Sequence, residues 1–96
     1  MALLDLLGRR WTLRVVWELR DARLTFRELQ ERCGGISSSV LNQRLRELRD
    51  AGIVTSHARA GYRLTEEGES LLAAMSDLYE WAGRWGERVG GRPSRR

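Results

Sequence analysis

Between Thr25 and Gly52 the chain carries two helix starts and two helix stops, and this punctuation restricts the fold more than any other feature. Thr25 followed by Glu28 is a capping box, in which each side chain serves the other residue's backbone N–H; a helix therefore starts near Phe26 and runs to about Arg32. Gly34-Gly35 stops it, because glycine is the favoured residue just past a helix C-terminus. Ser37 is a good N-cap for a second helix that continues to Asp50, with Leu41, Leu45 and Leu48 as its buried stripe and Gly52 closing it.

The flanking segments complete the plan. Residues 2–7 are mostly apolar and suit a short arm or helix, which Gly8-Arg9-Arg10 interrupts. Trp11, Val15 and Leu19, with Val16 alongside, recur as an amphipathic helix, and Asp21-Ala22-Arg23 turns the chain. Ile53-Val54-Thr55 has strand character, Arg59-Ala60-Gly61 suits a three-residue hairpin loop with Gly61 left-handed, and Tyr62-Arg63-Leu64 is the return strand. Thr65 caps a long last helix, with Glu66 and Glu67 in its first turn, running to about Val89. The order is helix, helix, turn, helix, hairpin, long helix: mainly α with a small β-hairpin wing, the winged helix-turn-helix arrangement. Residues 1–89 are read as one domain, with the helix-turn-helix at about 26–51, the wing at 53–64 and a C-terminal dimerisation helix at 66–89. Residues 90–96 are read as a disordered basic tail.

Composition excludes several functions. A chain of 96 residues forms a thin core, for which burial against a second copy is a common remedy. No apolar run reaches the length of a membrane span and the start is too short for a secretory signal, so a cytoplasmic protein is expected. One His and one Cys make neither a disulfide nor a typical structural zinc site; no glycine-rich phosphate loop is present, and a Cys33–His57 nucleophile pair lacks a third orienting group. Neither an enzyme nor a cofactor or metal site is expected. Net charge is +4 and all 17 basic residues are Arg. Most of that bias is what a GC-rich genome produces, yet the positive sum favours a polyanionic partner.

Three stretches carry a family resemblance: LLGRRWTLRVVWEL (6–19), FRELQERCGGISSSVLNQRLRELRDAGIV (26–54) and YRLTEEGESLL (62–72). Together they resemble the HxlR-type winged-helix regulators, relatives of the MarR group. The resemblance implies a dimeric transcription factor, often acting near its own gene and often responding to chemical stress. Three departures stand out. Many members carry a reactive cysteine just before the first long helix, and residues 1–10 hold none; the wing is trimmed to Arg59-Ala60-Gly61; and Cys33 stands where an aliphatic residue is common.

With Leu41, Leu45 and Leu48 facing the core, Ser39, Gln43, Arg46 and Asp50 fall opposite, Asn42 lies on the shoulder and Ser38 in the first turn. Ser38, Ser39, Asn42, Gln43 and Arg46 are therefore the candidates for DNA base readout: Arg46 suits guanine O6 and N7, and Gln43 or Asn42 suits adenine N6 and N7. Thr25, Arg27 and Ser37 at helix starts, and Arg59 in the wing, are the phosphate candidates. Arg44 and Arg49 flank the stripe, with phosphate contact, packing and an internal ion pair all open. His57 reads as an exposed strand residue. Cys33 reads first as a small buried hydrophobe, and is the one candidate for a redox role.

The last helix carries Leu71, Met75, Leu78, Ala82 and Trp85 at gaps of 4-3-4-3, a heptad seam suited to packing along another helix. Leu72, Tyr79 and Trp81 widen this face, and Leu3, Leu4, Leu6 and Leu7 complete it, so homodimerisation through the terminal helices is expected. Trp11, Trp81 and Trp85 fall on the same kind of stripe, which favours packing over nucleobase stacking. The leading expectation is a homodimeric double-stranded DNA-binding regulator on a pseudo-palindromic operator, repressing transcription, with room for a small-molecule effector and no membrane partner. The alternative is a winged-helix module that binds protein instead of DNA; that reading calls for exposed apolar residues on the 38–50 helix.

Overall fold

Backbone groups left over at helix ends dictate where this chain turns. The computed structural model describes residues 2–90. Helix α1 spans Ala2–Leu7, α2 Thr12–Glu18, α3 Phe26–Cys33 and α4 Ser38–Asp50; strands β1 (Val54–His57) and β2 (Gly61–Leu64) form a hairpin, and α5 spans Glu66–Gly90. Of the tail read at 90–96, all but Gly90 lies outside the described residues.

The caps form as read. The Thr25 side chain accepts from Glu28 N at 3.1 Å and Glu28 returns the bond to Thr25 N at 2.9 Å. Ser37 accepts from Val40 N at 3.2 Å, and Gly34 and Gly35 both take positive φ between the two helices. Thr65 does two jobs: its hydroxyl donates to the Gly52 carbonyl at 2.6 Å and accepts from Gly68 N at 3.1 Å, tying the start of α5 to the end of α4.

Two local expectations shift. Trp11 is not part of a helix but the residue before it, in the left-handed region at φ 79°, where the Gly8–Arg10 turn hands the chain to α2. The hairpin loop is Ala58–Ala60, one residue earlier than read, and Gly61 opens β2 paired with His57. Its glycine requirement is doubly set. Its φ is 92°, and a Cβ there would overlap the Leu24 carbonyl, because Leu24 bridges to Tyr62 through two backbone hydrogen bonds of 3.0 and 2.7 Å.

One core lies under these elements. Val15, Val16 and Leu19 from the α2 segment meet Leu29 and Cys33 of α3 and the Leu41/Leu45/Leu48 stripe of α4; Val54 and Leu64 close it from the hairpin and Met75 from α5. The molecule measures 47 × 26 × 25 Å. The long dimension comes from α5, whose 25 residues extend about 37 Å.

Candidate nucleic-acid interface

Helix α4 turns its leucines inward and leaves Ser38, Ser39, Asn42, Gln43 and Arg46 all exposed on its other side, with α4's N-terminal turn fixed by the Ser37 cap. The five side chains read as facing away from the core are exposed. The sequence did not show how they are held. Gln30 of α3 donates to the Ser38 hydroxyl at 3.1 Å and to the Ile36 carbonyl at 3.3 Å, which sets α4's first turn against α3. Gln43 is engaged at both ends of its amide: it accepts from Arg46 Nη1 at 3.0 Å and donates to Glu47 Oε2 at 2.9 Å. Asn42 makes no side-chain hydrogen bond among the described residues.

Glu47 is the organiser that sequence reasoning missed. It also takes Arg44 at 2.6 Å and lies 3.9 Å from Arg9 at the start of the α2 segment. The hydrogen bond from Gln43, followed by the neighbouring guanidinium of Arg44, holds its carboxyl below the usual carboxylate range. Of the open options for Arg44, the internal ion pair is the one found. Arg49 donates to Ser56 Oγ at 3.2 Å and braces the end of α4 against β1. The spacings Gln43–Glu47 and Arg44–Glu47 were legible as i,i+4 and i,i+3 pairs; the Gln30 contact crosses a turn and left no sequence signal.

The phosphate candidates fall into two places. Thr25, at the start of α3, and Arg59, in the hairpin loop, line one cleft of about 230 Å³ together with Phe26, His57 and Tyr62. Arg27 is exposed on the first turn of α3, and Ser37 sits at the start of α4 rather than in the cleft. The α3 start and the wing therefore share a concave surface that carries the Thr25 hydroxyl and the Arg59 guanidinium.

Cys33 is 2% exposed within the core, and burial pushes its thiol up despite the partly offsetting charge of Arg14. A reactive cysteine needs access and thiolate character, and this one has neither, so the redox candidacy gives way to the packing one.

The heptad seam divides. Met75 is 4% exposed and belongs to the chain's own core, and Leu71 packs against that core half-buried. Leu78 and Trp85 are 56% and 47% exposed, and Ala82 is exposed between them. On α1, Leu3 and Leu4 face solvent while Leu7 is half-buried. Trp81 and Trp85 stack on each other at 6.2 Å, outside the core.

With this geometry in hand, four likenesses are informative. The family model of HxlR-like helix-turn-helix proteins matches residues 6–89. The chain is 30% identical over 87 residues to the uncharacterised HTH-type transcriptional regulator YvaP of Bacillus subtilis, across 84% of this chain and 81% of the relative. Among solved structures, quinone-bound YodB of B. subtilis superimposes with a TM-score of 0.81 at 34% identity, covering 86% of this chain and 92% of that one. A possible HxlR family transcriptional factor of Thermoplasma volcanium gives 0.75 at 28% identity, covering 88% and 81%.

Proposed function

The chain belongs to the HxlR-like helix-turn-helix family and is a DNA-binding transcription regulator, not an enzyme; from that premise we propose that it acts as a homodimer on a pseudo-palindromic operator and represses the adjacent gene. The observation that carries the readout assignment is the α4 face. Five polar side chains stand exposed on a helix whose start is pinned by Ser37 and Gln30, while no leucine of that helix is left outside. A protein-docking module calls for the reverse.

In this reading Ser38 and Ser39 approach the groove first, Asn42 and Arg46 read base edges directly, and Gln43 reads after exchanging its contact with Arg46 or Glu47 for one to adenine. Thr25, Arg27, Ser37 and Arg59 fix register through phosphates. Residues 1–89 act as one domain, with α5 and α1 of two copies pairing through Leu3, Leu4, Leu7, Leu78, Ala82 and Trp85. A DNA target supports a cytoplasmic location. The quinone held by YodB supports a small-molecule effector for this chain as well.

Selection of bound sequences from a random duplex pool tests the proposal. Enrichment of two inverted half-sites one or more helical turns apart is expected, with affinity falling linearly in log salt by about 0.9 per phosphate neutralised. Enrichment of a single half-site removes the dimeric operator, and the absence of binding at low salt removes the assigned interface.

A further inference from the structure

On the α4 face, the fold itself sets the hydrogen-bond polarity of one side chain. Gln30 of α3 is half-buried against the first turn of α4. Its Nε2 makes two contacts, 3.3 Å to the Ile36 carbonyl and 3.1 Å to the Ser38 hydroxyl. A backbone carbonyl can only accept, so the end of the amide that faces Ile36 is the NH2, and turning it over would set oxygen against oxygen. The second N–H of the same group goes to Ser38, and the Ser38 oxygen therefore accepts. A hydroxyl that accepts from an amide is polarised into a better donor and a poorer second acceptor. Ser38 is exposed, and its proton meets no acceptor among the described residues. The proton is left for whatever lies against the α4 N-terminal turn.

We propose that Gln30 is a positioning residue for base recognition, which makes Ser38 a hydrogen-bond donor to a purine N7 in the major groove. This rests on the DNA-binding reading of α4 and adds to it the class of base at one position. Guanine and adenine both present N7 there, whereas cytosine presents only its N4 amine, a donor that calls for an acceptor. Thymine carries its O4 beside a methyl group, which a hydroxyl does not match. Purines are thus preferred opposite Ser38, and cytosine is rejected most strongly. Gln30 need not touch DNA to do this. It fixes which way the Ser38 proton points before the duplex arrives.

The test starts from the half-site that the full chain selects from a random duplex pool. Each of its purines is then replaced in turn by the 7-deaza base, which exchanges N7 for a C–H group. One purine is expected at which the wild type loses about fivefold in affinity, a loss absent in Ser38→Ala and retained in Arg46→Ala. Selection is then repeated with Gln30→Met, which keeps size and helix propensity but donates nothing, and cytosine should enter at that position. Gln30→Glu should go further and favour cytosine, because a carboxylate takes the Ser38 proton and turns the oxygen lone pairs outward. A packing role for Gln30 would lower affinity alike for every sequence, as the added charge of Gln30→Glu also does; the ranking of bases at one position is free of both effects. A scan with no 7-deaza penalty that Ser38→Ala removes overturns the proposal, as does an unchanged base preference there in either Gln30 variant, and both results leave the DNA-binding reading standing. A wild-type chain that selects no duplex overturns the two together.

Discussion

On either side of Met75, α5 behaves as two different helices. Before it, Gly68 packs its backbone against Ile53 and Leu64, Leu71 and Leu72 lie half-buried, and Met75 enters the core. Beyond it, Leu78, Tyr79, Trp81, Trp85 and Val89 are all about half exposed or more, and Tyr79 meets Trp17 edge-on with ring centroids 5.8 Å apart. The apolar content continues while the packing stops. A domain body that closes its own core has no need of the second half, and a stripe of stacked tryptophans left in water carries a hydrophobic cost. The difference separates a body that closes its own core, the head, from a helix end whose apolar face stays exposed, for which a second copy is the proposed cover.

The largest effects should fall on the head. Leu41 is fully buried at the centre of the core, so Leu41→Ala should cost about 2–5 kcal/mol in chemical denaturation and be felt equally at all protein concentrations. A loss below 1 kcal/mol would mean that the head is not the stable unit. Next comes the far half of α5. Leu78→Asp with Trp85→Asp should weaken self-association by about a hundredfold in sedimentation, worth about 2.7 kcal/mol, while leaving the head folded. An unchanged association constant would break the comparison outright. The junction between the halves is sharper still: a Cβ on Gly68 would overlap the Ile53 carbonyl, so Gly68→Ala should cost about 1–3 kcal/mol although only one methyl is added.

This division also marks what the sequence made legible. Caps and stripes depend on neighbours a turn away, so Thr25 with Glu28, Ser37, and the α4 leucines could be read directly, along with the exposed set opposite them. Met75 could not be placed, because a heptad records that a face is apolar and not which body covers it; only the point where α5 leaves the head decides. The loop slipped by one residue because Leu24, far back in the chain, presses on Gly61 and sets the hairpin register. Trp11 looked helical because its spacing to Val15 is that of a helix, whereas the preceding turn fixes its φ. Gln30 and Glu47 were missed for a related reason: the one reaches across a turn, and the other looked like an ordinary surface charge.

Within the head, Arg46 tests whether the exposed face reads DNA. Among the described residues its guanidinium hydrogen-bonds only to Gln43. Arg46→Ala should therefore leave stability nearly untouched and cost about 1–3 kcal/mol of operator binding, with relaxed preference at one base pair. Unchanged affinity would remove Arg46 from the readout set. A loss that appears as weaker self-association instead would show that the two halves are not separable.

The smallest effect concerns Glu47, and its sign follows from its neighbours. Its carboxyl is held below the usual range by Gln43 and Arg44, so the ionised form is the one that stabilises the fold. That contribution is present above the ordinary carboxylate value of about 4.3 and is lost as pH falls through the lowered folded value. Wild type and Glu47→Gln should thus differ by a constant margin near neutrality, about 2 °C in Tm or less for a partly solvated pair, and converge as pH falls through that lowered value. A margin that persists below that value would show that Glu47 acts through packing rather than charge. Because Glu47 sits on α4, far along the chain from the exposed half of α5, the same convergence should survive Leu78→Asp with Trp85→Asp. If it vanished there, the polar network of the head would depend on the second copy, and the reading head would not be self-sufficient after all.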